Sequence, residues 1–252
     1  MADIDVSVIT PTFRREKQVV DAIKSALEQP LARVEVLVLD ADPAGSAETA
    51  VLAFRDPRVR YVRCQTPGDD RLAAAQNEGS RLAHGHFLHF LEDDHRLAEG
   101  ALAALVGALE RTPNVGVAFG NVTPVGEDAA VLAREEAVFA ETAELARRRL
   151  TRLDMTACLL FKLPAFVGSA CLIRRENALA LGGYDETIAS CRDIEFYARA
   201  IREFGFVFVD RPVSYSSAHD LVMRSHQGAH DKYRRARGNL EFYAMKMLAK
   251  VF

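Results

Sequence analysis

The sequence predicts an α/β fold: a mostly parallel central sheet flanked by helices, with a helical insertion in its second half. Three observations carry that expectation. Apolar runs of strand length alternate with segments of helical period through the first half of the chain. The strand-like runs, "VEVLVLD" (34–40) above all, are nearly continuous in hydrophobicity, as strands covered on both faces are. Polar and acidic residues gather where those runs stop, and ligands of such sheets sit beyond the carboxyl ends of the strands.

In order, "VSVITP" (Val6 to Pro11) is a β-rich run stopped by Pro11. "REKQVVDAIKSALEQ" follows with Val19, Val20, Ile23, Ala26 and Leu27 at helical spacing. "VEVLVLD" is the second strand, closed by the loop "ADPAGS", and "SAETAVLAFRD" reads as the second helix. "RVRYVRC" (Arg58 to Cys64) is a third strand, "DRLAAAQNEGSRLA" a third helix and "GHFLHFL" a fourth strand. After the amphipathic helix "EGALAALVGALERTP", "VGVAFGNVTPV" reads as a strand, and the segment from Asp128 to Arg152 is helical in composition. "SACLIRRENALALGGYDE" predicts a strand, a helix and a turn at Gly182-Gly183. "DIEFYARAIREFG" is a helix ending at Gly205, "FVFVDRPVSYSS" a further strand, and "RRARGNLEFYAMKMLAKVF" a final helix more apolar than a solvated one.

Length and composition set the class. At 252 residues, 49% hydrophobic and 27% charged, the chain suits one globular domain spanning 1–252. A net charge of -3 carries no global nucleic-acid signature, so no nucleic-acid partner is expected. Cys64, Cys158, Cys171 and Cys191 form no CxxC pair and read as reduced interior thiols, which points to the cytoplasm. "MADIDVSVIT" is acidic where a signal peptide is basic, and no apolar run approaches the ~18 residues of a spanning helix, so neither export nor membrane insertion is expected.

The stretch "HFLHFLEDDHRL" (His86 to Leu97) runs a buried-looking strand into three acids and a histidine. Crowding ionisable groups at a strand end sacrifices solvation, and a metal ion is the candidate gain. Glu92 and Asp94, two residues apart, point to the same side of an extended chain, and with His95 they offer ligands for Mg²⁺ or Mn²⁺. A solvated turn or helix cap is the competing account of the same residues. "TPTFRRE" offers Thr10 and Thr12 hydroxyls and basic residues at another strand end, without the glycines of a P-loop. Asp40 and Asp42 in "LDADPAGS" suit hydrogen bonding to a ribose or a pyrimidine imide, and ordinary turn chemistry explains them too.

Together "VSVITPTFRRE", "VEVLVLDADPAGS", "AAQNEGSRLAHGHFLHFLEDDHRL", "FVGSACLIRRENALALGGYDE" and "CRDIEFYARAIREFG" resemble the inverting family 2 glycosyltransferases of the GT-A, Rossmann-like fold. The resemblance covers roughly residues 5 to 215 in the family's order. It implies a nucleotide-binding half to about residue 120 and an acceptor-binding half with a C-terminal helix beyond. It also implies transfer of a sugar from a nucleotide diphosphate sugar, usually a uridine one, to an acceptor hydroxyl of a glycan, a lipid-linked or a small molecule. Carried over, Pro11, Thr12 and Arg14 lie around the base, Asp40 and Asp42 recognise it, and Gln76 and Asp93 join the donor site. Glu92 and Asp94 match the acidic metal motif for Mn²⁺ or Mg²⁺, with His219 a third candidate ligand, and Asp193 matches the general base.

The departures from that pattern are Glu92 where Asp is usual, His95 where a further Asp is common, Gln76 where a cation is common and Arg192 where Glu precedes the base. An Arg beside a catalytic carboxylate lowers its basicity if the two approach, so a non-catalytic module that keeps the nucleotide pocket is the alternative reading. A nucleotidyltransferase is disfavoured because "ITPTFRREK" holds no Gly-rich phosphate loop. The basic cluster at Arg234, Arg235 and Arg237, beside apolar Leu240, Phe242 and Met247, suits packing on its own domain, peripheral contact with the inner face of a membrane, or a homodimer.

Overall fold

The computed structural model describes residues 4–31, 33–64, 71–148, 150–162, 167–188 and 192–217. The first half follows the alternation expected: β1 (Val6–Thr12), α1 (Gln18–Leu27), β2 (Val34–Asp40), α2 (Glu48–Leu52), β3 (Val59–Arg63), α3 (Arg71–Leu82) and β4 (Phe87–Phe90). Then come β5 (His95–Leu97), α4 (Ala101–Arg111), β6 (Val117–Val125), α5 (Ala129–Arg147), α6 (Arg152–Ala157), β7 (Cys171–Arg174), α7 (Arg175–Ala180), α8 (Arg192–Phe204) and β8 (Phe206–Ser217).

These strands form one eight-stranded sheet in the order β3-β2-β1-β4-β7-β6-β8-β5. β1 to β4 are mutually parallel where they pair, β7 runs antiparallel to both β4 and β6, and β8 is parallel to β6. Successive side chains of a strand point to opposite faces, and the core obeys that period. Val6 and Val8 of β1 and Val36 and Val38 of β2 pack with α1 and α4, while Ile9, Leu37 and Leu39 pack on the other face with α3 and α8. All seven residues of β2 are buried, which is why "VEVLVLD" lacks the alternation of a half-solvated strand.

The order matters for function. β1 has β2 on one side and β4 on the other, so the chain reverses its direction of travel across the sheet at β1. Two parallel strands whose connections leave in opposite directions open a crevice beyond their carboxyl ends.

Several elements differ from the sequence expectation, each for a local reason. The second helix is only Glu48–Leu52, because Arg55 takes a positive φ of 49° and ends it. The helical segment after Asp128 is two helices: Asp128 caps α5 by accepting from Ala130 N and Val131 N, and a Thr151–Asp154 capping box starts α6. A single π-helical turn, Cys158–Lys162, follows. "SACLIRR" begins as a 3₁₀ turn, Gly168–Ala170, before β7. β5 had no sequence signal at all; its three residues are held by antiparallel pairing with Ser214, Tyr215 and Ser216 of β8. Among the described residues no helix is long and apolar enough to cross a membrane. The expected C-terminal helix, its basic cluster, Cys191 and His219 lie outside the described residues.

One buried charge ties the amino-terminal strands together. Glu35 on β2, 3% exposed, accepts from Ser7 Oγ at 2.6 Å, His84 N at 2.7 Å and Arg60 Nη1 at 2.9 Å. Burial alone would raise its carboxyl; those hydrogen bonds outweigh burial and leave the carboxyl below the usual glutamate value. A group so depressed contributes stability above its unfolded value, and that stability is lost as pH falls through the folded one. Glu35→Gln is therefore expected to cost about 1–3 kcal/mol at neutral pH. Urea denaturation of both proteins across pH 3 to 7 checks this: the gap between them should close toward the acid end.

Candidate functional site

The site is assembled at the switch point. β1 and β4 pair in register from Val6↔Phe87 to Ile9↔Phe90, so the residues that follow them, Pro11 to Arg15 and Leu91 to Asp94, emerge side by side. Thr12 Oγ1 donates to Asp93 Oδ2 at 2.8 Å, and Arg15 Nη1 reaches Asp93 Oδ1 at 3.2 Å and Asp94 Oδ2 at 2.8 Å. A cavity of about 300 Å³ opens here, lined by Pro11, Phe13, Arg15, Leu72, Glu92, Asp93, Asp94 and Arg192. Five of those eight linings are ionisable, so the cavity is built for a charged ligand.

Across the cavity floor, Glu92, Asp94 and His95 each present one ligand atom, all within 4.8 Å of one another. His95 is 5% exposed, and its Nε2 stands 3.9 Å from Glu92 Oε2, 3.8 Å from Asp94 Oδ1 and 3.0 Å from Ser216 Oγ. The β5–β8 pairing that sequence missed is what turns this ring inward, and Ser217 Oγ donates to Asp94 O at 2.9 Å to hold the bend. Two carboxylates and an imidazole so close together fit a divalent cation with hard-ligand preference and leave positions for phosphate or water oxygens. Burial raises the Glu92 carboxyl above the usual range; His95 and Arg192 oppose the rise, and Asp193 and Asp94 add to it by repulsion. Asp93 is likewise raised by burial, against the hydrogen bond from Thr12 and the charge of Arg15.

A short turn joins this cluster to the other half of the sheet. Glu92 N donates to Ser169 Oγ at 3.0 Å, and the neighbouring Gly168 N donates to Asp193 Oδ2 at 3.4 Å. A Cβ on Gly168 would stand 3.1 Å from the Asp193 carboxylate, so glycine permits the approach. Asp193 thus lies at the start of α8 within Coulomb reach of Glu92, although the two are a hundred residues apart in sequence. Beneath it an aromatic floor of Phe90, Tyr184, Phe196 and Tyr197 is stacked and edge-packed. Burial, reinforced by the charge of Asp193, drives the Tyr184 phenol well above its ordinary value and keeps it neutral.

Arg192 turns toward the cavity. Its Nε donates to Gln76 Oε1 at 3.2 Å, and its Nη2 lies 3.5 Å from Glu92 Oε1. On the other flank of β1, Asp40 is fully buried and accepts from Asp42 N, Ala47 N and Tyr61 Oη at 2.9, 2.9 and 3.0 Å, pinning the loop after β2 from within. Asp42 is lowered first by the amide of Ala44 and then by Arg14, whose Nε is 3.4 Å away. Arg14 itself takes a positive φ of 58° and is largely exposed.

The structure therefore brings Pro11, Thr12, Gln76, Glu92, Asp93, Asp94 and Asp193 around one crevice, sets Asp40, Asp42 and Arg14 on its β2 side, and leaves His219 outside the described residues. Arg15, Phe13, Leu72, Ser169 and Ser216 were not singled out from sequence. Only Arg15 had a signal, its place in the basic run after β1.

An α/β sheet with an acidic cluster at its switch point and a mixed second half is the GT-A fold. The family described as Glycosyl transferase family 2 matches residues 7–181, and the chain belongs to it. The succinoglycan biosynthesis protein ExoO of Rhizobium meliloti is 32% identical over 196 residues, 76% of this chain and 49% of ExoO. The Escherichia coli UDP-Glc:alpha-D-GlcNAc-diphosphoundecaprenol beta-1,3-glucosyltransferase WfgD is 28% identical over 131 residues, 52% of this chain and 51% of WfgD. The Staphylococcus aureus TarS 1-349 structure with UDP-GlcNAc superposes with a TM-score of 0.62 at 17% identity, covering 85% of this chain and 58% of that one. The chain thus spans about half the length of the two relatives named and somewhat more of the TarS chain.

One scaffold contact ties α3 to the turn that follows α7. Asn77 on α3 donates to Tyr184 O at 2.9 Å and Glu186 Oε1 at 2.8 Å, and accepts from Tyr184 N at 2.8 Å. Gly183, at φ +78°, packs where any Cβ would collide with that amide. Asn77→Ala strands buried donors and acceptors and should cost about 2–3 kcal/mol of stability, read as a lower urea midpoint with unchanged m.

Proposed function

We propose that this chain transfers a sugar from a uridine diphosphate sugar to an acceptor hydroxyl with inversion, using a divalent cation held by Glu92 and Asp94 with His95. The observation that carries the reading is the convergence of that three-ligand cluster and Asp193 on either side of one 3₁₀ turn at the switch point. WfgD, whose name specifies UDP-glucose and a diphosphoundecaprenol acceptor, supports a uridine donor and a lipid-linked acceptor, which would bring the chain to the face of a membrane. The neighbouring structures crystallised with UDP or GDP-Man and Mn²⁺ support a nucleotide site with a cation, Mn²⁺ or Mg²⁺.

When bound, the cation neutralises charge that gathers on the leaving diphosphate as the glycosidic bond breaks. The chain's residues do the rest. Pro11 and Phe13 border the nucleotide side, where Asp42 and Arg14 meet the base and Asp40 acts by fixing the loop that carries Asp42. Thr12 and Arg15 hold Asp93 and Asp94 in place, so the ligand oxygens are aimed before any substrate arrives. On the opposite face Asp193 accepts the acceptor's proton while that oxygen bonds to the anomeric carbon and the diphosphate oxygen leaves with the bonding pair. One displacement inverts the configuration and needs no protein nucleophile. Arg192, the residue before the proposed base, addresses Gln76 and Glu92.

Titration calorimetry with UDP, GDP and TDP, each with Mn²⁺ or with EDTA, tests the donor site. UDP should bind with Mn²⁺ and weaken at least about tenfold with EDTA, and Asp94→Ala should bind alike in both conditions. Because burial and repulsion raise Glu92, protons compete for the cation site, and Mn²⁺-dependent affinity should fall as pH drops toward the carboxylate range. Asp193→Asn should lower the rate of UDP release in the presence of acceptor by about 10²- to 10⁴-fold while UDP still binds. Undiminished turnover would remove Asp193 from the mechanism.

A further inference from the structure

We propose that Tyr184 and Tyr197 are positioning residues for Asp193, the Tyr184 hydroxyl donating to the buried Oδ1 and Tyr197 standing behind it; this rests on the reading of Asp193 as proton acceptor and deepens it. The two oxygens of Asp193 are placed differently. Oδ2 accepts the long 3.4 Å bond from Gly168 N, while Oδ1 is buried and meets no donor at bonding distance among the described residues. A buried carboxylate oxygen without a donor is costly, and the contacts of a catalytic carboxylate often tighten only when substrate is bound.

Geometry points to the phenols as the donors. Tyr197 follows Asp193 by four residues on α8, and helical side chains lean toward the N-terminus, so its ring lies over the turn that carries Asp193. Tyr184 arrives from the turn after α7. Asn77 fixes its backbone N and O at 2.8 and 2.9 Å, and its ring stacks on Phe196 with centroids 4.3 Å apart. Both tyrosines are buried, at 3% and 0% exposure. The charge of Asp193 reaches both hydroxyls: it follows burial in raising Tyr184, and it follows burial and Cys171 in raising Tyr197, whose hydroxyl has Tyr184 and Cys171 beside it. Phenols suit the task, because a hydroxyl is neutral and rotates. It donates to the carboxylate and accepts from the carboxylic acid that the carboxylate becomes. Holding Oδ1 from beneath leaves Oδ2 to take the acceptor's proton.

Tyrosine carrying ¹³C at Cζ, observed by NMR with UDP and Mg²⁺, reads the contact without any turnover. Tyr184→Phe and Tyr197→Phe assign the two resonances, each deleting one hydroxyl and keeping its ring. Asp193→Asn should shift the Tyr184 resonance most, Tyr197 less, and leave Tyr61 on β3 in place. Turnover reads the consequence, as UDP release from UDP-glucose, UDP-galactose and UDP-GlcNAc with Mn²⁺ and water as the acceptor. Tyr184→Phe should lower kcat about tenfold or more with KM within about twofold of the wild type, the worth of one hydrogen bond to a charge. The same change should add nothing in the Asp193→Asn background, because the hydroxyl acts through the carboxylate. A Tyr184 resonance that Asp193→Asn leaves unmoved, a wild-type kcat in Tyr184→Phe, or an equal loss in both backgrounds overturns the proposal. Asp193→Asn turning over at the wild-type rate would sink the base reading itself, whereas a slow Asp193→Asn beside a wild-type Tyr184→Phe sinks the positioning role alone.

Discussion

Three carboxylates at one strand end are the constraint around which this molecule is arranged. Two unit charges 4 Å apart repel by about 4 kcal/mol at the effective dielectric of a partly buried site, so Glu92, Asp93 and Asp94 cannot all ionise there uncompensated. The fold answers with cations drawn from two different elements: Arg15 after β1 on Asp93 and Asp94, and Arg192 at the start of α8 on Glu92, while the His95 imidazole at the start of β5 stands against Glu92 and Asp94. Each of those elements is thereby tied to the end of β4. Glu92, Asp94 and His95 bring one ligand atom each within 4.8 Å of one another, and it is there that we propose one further positive charge is held.

The second requirement is that two halves built by different parts of the chain meet within hydrogen-bond distance. The amino-terminal half supplies parallel strands whose ends must converge, while the carboxyl-terminal half reaches the same crevice through an antiparallel strand, β7. Antiparallel entry places the residues just before β7 at the carboxyl end of β4. That is why Gly168 and Ser169, not a loop from elsewhere, touch Asp193 and Glu92. The turn is a spacer between Glu92 and Asp193, and its small residues set how near they come.

Much of this was legible in the residues, and the reason is locality. "VEVLVLD" announces a strand buried on both faces and "VVDAIKSAL" a helix with one apolar stripe, and the ordered motifs at strand ends announce the family. The convergence of Glu92 with Asp193 was available only through resemblance, because no local pattern links residues a hundred positions apart. What escaped was held by tertiary pairing. β5 is three residues long and exists because β8 hydrogen-bonds to it, so nothing in "HRL" predicts a strand. Arg15 resembles its neighbour Arg14 in sequence; only the positive φ of Arg14 turns the two apart, one toward Asp42 and the other into the acidic cluster.

Gln76 and Arg192 show the same point from the other side. Taken singly along the chain, a glutamine where a cation is common and an arginine where an acid is common are two unrelated departures from the pattern. In space they are one contact, since Arg192 Nε donates to Gln76 Oε1 across 116 positions of sequence. Gln76, an acceptor 1% exposed on α3, fixes the direction of a guanidinium that enters from α8. From there its other arm reaches Glu92, so two departures that are unrelated along the chain join α3, α8 and the end of β4 at one edge of the cavity.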